Sequence, residues 1–439
     1  MQIASALGEL ARDKPAREHE AASGQPQLDR WAIAATVAGN ALEFYDFLAY
    51  TFFAVYIGRA FFPTGQDFAS LLLSLATFGV GFVTRPLGGV LIGTYADRAG
   101  RRPALMLTIG LMAVGTLAIA VTPSYASIGI AAPLILVAAR LVQGLALGGE
   151  VGPSTAVLLE CAPPGRRGLL TSWQSASQGI AILAAGIVGV VLAQVLGKEE
   201  LAGWGWRVPF AVGLIIVPVG LYIRRRLPET LQAGSASPTQ AGVLGLIWRQ
   251  HRRSLVLSIL IIMSLTISTY VNTYMTTFAL TTLGLPASQA MWATLVGGVV
   301  VALGANWGGR LSDRFGRRPV MIVPRVMLML VIYPALVFVV REKTLWALLS
   351  VTGLFHLLTV ASAAAVLAAM TEVFPNAVRS AGTAIAYALS VSVFGGTTQF
   401  AIAWLIGTTG DPLSPAYYVI ATSLVSLWAM FKLPETYKS

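Results

Sequence analysis

Five ionisable side chains stand where a chain of this composition has no evident use for charge. They are Glu43 and Asp46 in GNALEFYDFLAY, Arg85 in VTRPLGG, and Arg140 with Glu150 in AARLVQGLALGGE. All lie within apolar runs, and an Asp or Arg at the centre of a helix in hydrocarbon costs about 2.5 to 3.5 kcal/mol, so each is a functional candidate. Asn40, Glu43, Phe47 and Tyr50 recur at spacings of three and four and share one helical stripe, with Asp46 at its edge. The planar fork of arginine grips a carboxylate through two parallel hydrogen bonds, which makes Arg85 and Arg140 candidate ligands for an anion. A buried Arg–Glu or Arg–Asp pair knitting helices together would use the same residues, and the sequence leaves both readings open. One pair can serve both ends, because protonating its carboxylate releases the arginine. Glu150 lies ten residues beyond Arg140, about 15 Å by helical rise, too far to pair with it in a straight helix.

Neutral polar groups accompany the charges. Gln143 shares a face with Arg140, and TSWQSASQGIA presents Gln174, Ser177 and Gln178 together, a set suited to a polyoxygenated ligand. Later in the chain come Tyr270, Asn272 and Tyr274 in STYVNTYMTTF, His356 in GLFHLLTVAS, and Gln399. His356 fits either a proton relay or a structural hydrogen bond. Arg325 is expected to snorkel from its span toward the interface.

The elements that must position these groups are membrane helices. The chain of 439 residues is 56% hydrophobic and only 11% charged, with a mean hydropathy of +0.73. Apolar runs of about 20 residues, enough for a ~30 Å hydrocarbon core, recur along its length. The breaks between them predict twelve helices over 30–58, 67–95, 102–121, 126–158, 168–196, 207–225, 253–282, 287–310, 319–340, 344–372, 379–407 and 414–431. The fold class is thus an all-α membrane protein with twelve transmembrane helices. Residues 1–29 read as a disordered tail without the apolar core of a signal peptide, 226–252 as a linker and 433–439 as a second tail. Twelve spans put both termini on one side, where 22 of the 30 Lys and Arg fall, against five on the other. By the positive-inside rule that side is the cytoplasm, in a bacterium the inner face of the plasma membrane. The net charge of +11 is therefore a topology signal and not a nucleic-acid surface. A single cysteine, Cys161, excludes an intrachain disulfide and suggests no metal site.

The chain repeats itself. GTYADRAGRRPALM from Gly93 and GRLSDRFGRRPVMI from Gly309 share their Gly, Asp-Arg and Gly-Arg-Arg-Pro, and two further pairs follow in order. These are LLECAPPGRRG with MTEVFPNAVRS, and LPET at 227 and at 433, so the chain is two homologous halves over 30–225 and 253–432. Asp97, Arg101, Arg102 and Glu160 in the first half, and Asp313, Arg317, Arg318 and Glu372 in the second, gather at cytoplasmic helix ends. Such clusters form a gate if their ion pairs hold in one state and break in the other. Topogenic charge alone accounts for the arginines but not for the repeated Asp and Gly.

The loop pattern G-x-x-x-D-R-x-G-R-R in both halves resembles the signature of the major facilitator superfamily. The resemblance implies two six-helix bundles, alternately open to each side, around a site near mid-bilayer. GNALEFYDFLAYTFFAVYIGRAFFP, TRPLGG, RLVQGLALGGE and TSWQSASQ are similar to its metabolite:proton symporter branch, and LLTSWQSASQGIAIL and GDPLSPAYY to the citrate and tricarballylate symporters within it. The expectation is import of a small organic anion with protons. Asn40, Arg85, Arg140, Gln143, Gln174, Gln178 and Tyr274 would hold substrate, and Glu43, Asp46 or Glu150 would carry the proton. Dicarboxylate, shikimate and oxoglutarate relatives share these features, and a zwitterionic osmolyte or a non-transporting sensor role stays open. The ending KLPETYKS, without the long coiled coil of osmosensory betaine relatives, points away from that member. No G-x-x-x-x-G-K-[ST], H-E-x-x-H or G-x-S-x-G motif suggests an enzyme or an ATP-driven pump. No cofactor is expected beyond an ion gradient, with sodium in place of protons left open, and the partners are the lipid bilayer, substrate and protons, with the monomer as working unit.

Overall fold

The computed structural model describes residues 30–160, 167–225, 248–375 and 378–436. The described residues are almost wholly helical and contain no strand. The spans are α1 (Arg30–Phe52, continued by Ala54–Phe61), α2 (Asp67–Val83 and Arg85–Ala99), α3 (Arg101–Val121), α4 (Ala131–Glu160), α5 (Arg167–Val195) and α6 (Val208–Arg225) in the first half. The second half holds α7 (Arg252–Thr281), α8 (Ala287–Phe315), α9 (Arg317–Glu342), α10 (Leu345–Glu372), α11 (Arg379–Ser390, a π turn at Val391–Gly395, and Gly396–Thr409) and α12 (Ser414–Lys432). Eleven of them, α2 to α12, are long and apolar enough to cross a bilayer. The one that is not is α1, whose hydropathy is lowered by Asn40, Glu43 and Asp46.

The motif common to both halves is a chain reversal. Gly100 and Gly316 take φ of 103° and 91° between consecutive helices, a conformation that costs any residue with a Cβ. A Pro two residues into α3 and into α9 then sits where a helix needs no N–H. This explains the repeated glycine independently of any gate.

Large apolar side chains such as Ile215, Leu303 and Trp346 point outward, as expected of a surface solvated by lipid tails. Inside, α5 runs against α8 over its whole length, from Gly168 beside Gly309 to Gln194, whose amide donates to the Ser288 carbonyl. At the end remote from the repeated motif, Ala54, Leu71 and Leu75 of the first half join one apolar cluster with Phe278 and Ile402 of the second.

Three local features differ from the expected spans. The second helix breaks at Thr84, because Pro86 supplies no N–H and its ring crowds the carbonyl one turn back. The fourth starts at Ala131, after a separate turn over Tyr125–Ile128. Arg325 does not snorkel: it is fully buried, with Nη1 donating to Ser268 Oγ of α7. Proline at 324 opens α9 beside it, and the guanidinium fills the space between α7 and α9.

Candidate functional site

The two arginines meet because α2 and α4 pack almost backbone to backbone. At Gly144 a Cβ would collide with the Gly81 carbonyl, so only glycine permits the approach. Thr84 Oγ1 at the break in α2 donates to the Leu141 carbonyl (2.7 Å), which fixes the register of the helices. Arg85 and Arg140 are thereby carried to one ring, Phe47 of α1. Their guanidinium carbons lie 4.5 and 4.4 Å from its centroid, so the two cations are within about 9 Å of each other. Phe82 also faces Arg85 (4.0 Å), while Tyr50 and Phe78 face Arg140 (4.5 and 5.0 Å).

No described carboxylate forms an ion pair with either arginine; the ion pairs among described residues are Arg59–Asp67, Arg317–Asp313 and Arg317–Glu372. On both Arg85 and Arg140, Nε and Nη2 are buried without a hydrogen-bond partner among the described residues. Those two nitrogens form one edge of the guanidinium, the edge that takes a carboxylate bidentately. Buried donors left unmade cost about 1 to 3 kcal/mol each, and like charges so close add repulsion. The stacked rings offset part of this. The arrangement leaves two buried cations side by side with no counter-charge among the described residues.

The carboxylates take different places from those expected. Glu43 and Asp46 turn away from the arginines toward α3: Glu43 Oε1 accepts from Thr108 Oγ1 (3.0 Å) and Asp46 Oδ2 from Thr116 Oγ1 (2.9 Å). Asp46 Oδ1 faces Gly213 of α6 and has no hydrogen-bond partner among the described residues. Asp46 is nonetheless linked to the cation pair. Arg140 Nη1 donates to Gln143 Oε1 (2.7 Å), Gln143 Nε2 to Thr116 Oγ1 (3.0 Å), and Thr116 to Asp46. Every donor in this chain points from Arg140 toward Asp46.

The amides also divide. Asn40 is occupied by α5, donating to Ser177 Oγ and accepting from Gln174 Nε2 (3.2 Å). Gln178 instead lies near Tyr387 of α11 and borders a cavity between the halves. Tyr274 is one turn out of place: it sits among the apolar residues that join the halves. Tyr270 takes the position expected of it, near Arg85 and with its ring edge on Phe78 (6.0 Å) and Phe82 (5.5 Å). The π turn of α11 lies over these rings, Gly395 against Phe82 and Tyr270. Sequence reasoning missed Tyr387 and Thr116, and the only signal for Tyr270 was its place on a polar stretch of α7.

At the motif end, Asp313 of α8 accepts the backbone N–H groups of Gly168 (2.9 Å) and Leu169 (2.8 Å) at the start of α5, a carboxylate capping the helix of the other half. Arg317 joins Asp313 (2.9 Å) to Glu372 (3.0 Å). Arg318 is not part of this contact between halves; its guanidinium donates to the Phe431 carbonyl. Glu435, from the second LPET, caps α9 by accepting from Arg317 N (3.0 Å) and Arg318 N (2.9 Å), and Thr436 donates to Glu372 (2.7 Å). The side chains of Asp97, Arg101, Arg102, Glu150 and Glu160, and the whole of Cys161, lie outside the described residues.

The model of the Major Facilitator Superfamily matches residues 36–398 and 257–439. The chain belongs to the major facilitator superfamily. It is 37% identical to the citrate-proton symporter of Klebsiella pneumoniae over 91% of this chain and 90% of that one. It is 33% identical to the proline/betaine transporter of Salmonella typhimurium over 93% and 84%. The structure of the xylose transporter XylE from E. coli superposes with a TM-score of 0.75 at 19% identity, covering 93% of this chain and 99% of that one. As in the rest of this superfamily, the two halves are six-helix bundles, and the protein is a membrane transporter and not an enzyme.

Proposed function

We propose that the protein imports a small organic acid together with protons, the acid being citrate or a related tricarboxylate. The observation that carries this reading is the pair of buried guanidiniums on Phe47, each with Nε and Nη2 lacking a hydrogen-bond partner among the described residues and neither paired with a described carboxylate. Two carboxylates of one molecule match two such cations in charge, and each guanidinium in its bidentate hydrogen-bonding pattern. The similarity to a citrate-proton symporter supports the same reading. A zwitterionic osmolyte is disfavoured for a specific reason. Its quaternary ammonium would need open aromatic faces, and Phe47, Phe78, Phe82 and Tyr50 already stack on arginine.

Asp46 is the coupling residue in this account. Ionised, it accepts from Thr116, which holds Gln143 and through it Arg140; protonated, it loosens that hold. Positive-inside charge supports a cytoplasmic position for the termini and the Asp313–Arg317–Glu372 cluster, where Asp313 would close the inner gate. The monomer contains the whole site.

The test is uptake of labelled citrate into proteoliposomes with an imposed inward proton gradient, with sodium replaced by choline in a parallel series. Uptake that follows the proton gradient, ignores sodium, and yields to excess citrate more than to oxoglutarate, shikimate or betaine is the expected result. Uptake indifferent to the gradient, or displaced only by betaine, would refute the reading.

A further inference from the structure

Between the bundles, beside the tyrosines that cover Arg85, lies a cavity of about 50 Å³, room for a few waters. Gln178 of α5, Thr269, Asn272 and Thr273 of α7, and His356 and Thr359 of α10 line it, and no acidic or basic residue other than the histidine does. It adjoins the arginines, since Thr269 and Thr273 lie on α7 beside Tyr270, which neighbours Arg85, and Gln178 neighbours Tyr387. Its chemistry is different.

The protonation of His356 follows from its partner. Nδ1 lies 2.9 Å from the Thr352 carbonyl, which can only accept, so Nδ1 carries the proton. In the neutral ring Nε2 is then an acceptor, and no hydrogen bond to it is made by any described residue. Two of the donors beside it are engaged elsewhere: Asn272 Nδ2 donates to Thr359 Oγ1 (3.1 Å) and Thr273 Oγ1 to the Tyr270 carbonyl (3.0 Å). An O–H group entering the cavity would supply the donor that Nε2 has not found. A carboxylate, which only accepts, gains nothing from Nε2.

We infer that this cavity is a second subsite of the transporter, which takes the hydroxyl of a hydroxycarboxylate, with His356 Nε2 as its acceptor. The inference rests on the acid-transport reading and narrows it: the arginines of the first bundle take carboxylates, and α7 and α10 of the second read whether the acid carries a hydroxyl. Substrate then touches both bundles, so the two can close around it only when both ends are filled.

Citrate and tricarballylate differ only in that hydroxyl. Binding of each to the purified protein, followed by thermal shift, should favour citrate about tenfold, the worth of one good hydrogen bond to a buried acceptor. His356→Leu should bring the ratio near one by weakening citrate while tricarballylate stays within about twofold. His356→Gln, which keeps an oxygen acceptor, should retain part of the preference. A His356→Leu protein that keeps the tenfold preference, or that weakens both acids equally, overturns the subsite. Should His356→Leu bind neither acid through misfolding, His356→Gln decides: retained preference upholds the subsite and lost preference removes it. A wild type that binds both acids alike leaves the acid reading standing and removes the subsite. A wild type that binds neither removes both.

Discussion

Arg140→Met is expected to cut uptake at low substrate concentration by at least about a hundredfold, without lowering the melting temperature of the empty protein. The first half follows from losing a charged, bidentate contact, worth about 1.5 to 3 kcal/mol for each charged hydrogen bond. The second half separates a binding arginine from a structural one. A structural arginine is paired, so removing it strands a partner and destabilises by several kcal/mol. Arg140 strands only Gln143, which keeps Thr116, and methionine fills most of the space between Phe47, Tyr50 and Phe78. Arg85→Met should behave alike, with Tyr270 released. Uptake assays with circular-dichroism melts of the same preparations check both halves, and a large fall in melting temperature would return these arginines to a structural role.

Asp46→Asn is expected to abolish concentrative uptake while sparing binding and exchange of substrate across the membrane. The amide oxygen still accepts from Thr116, so the chain through Gln143 to Arg140 keeps its geometry. What the amide cannot do is change charge. One unit of pH gradient is worth about 1.36 kcal/mol per proton, or tenfold accumulation, and that factor should fall to about one. Counterflow of labelled against unlabelled acid should continue at a rate within a few-fold of wild type. Gradient-driven accumulation by the variant would move the coupling to Glu43 or Glu150.

The architecture was largely legible in the sequence because membrane helices are specified by length and apolarity, and because the D-R-x-G-R-R repeat marks the same reversal in both halves. Gly100 and Gly316 show why the repeat is there: a positive φ admits little else. The site was legible as residue types but not as pairings. Glu43 and Asp46 share a stripe with Phe47, yet α1 is surrounded on all sides, so position on a helix does not say which neighbour a polar group finds. Asp46 found Thr116, a threonine in an apolar helix that periodicity passes over. Asn40 and Gln174 looked like ligand contacts, and Gln174 donates to Asn40 instead. On α7 the choice between Tyr270 and Tyr274 is one of depth by a single turn, since both lie on one face, and only the packing of α2 against α11 selects the former.

Burial without a counter-charge is not in itself a binding site, as Arg325 makes plain. It too has Nε and Nη2 without hydrogen-bond partners among the described residues, yet it stands apart from the others, bonded to Ser268 inside one bundle. Arg85 and Arg140 differ in being two, on one ring, under a tyrosine contributed by the other bundle. That juxtaposition ties the charge to the interface at which the bundles part.

The central claim is that this interface binds a small polycarboxylate, and a thermal-shift screen of the purified wild-type protein tests it most directly. Citrate or another di- or tricarboxylate at a hundred times its dissociation constant should stabilise by about 2.7 kcal/mol, a rise of several degrees, with betaine and proline giving none. Stabilisation by betaine or proline and by no carboxylate would contradict the account.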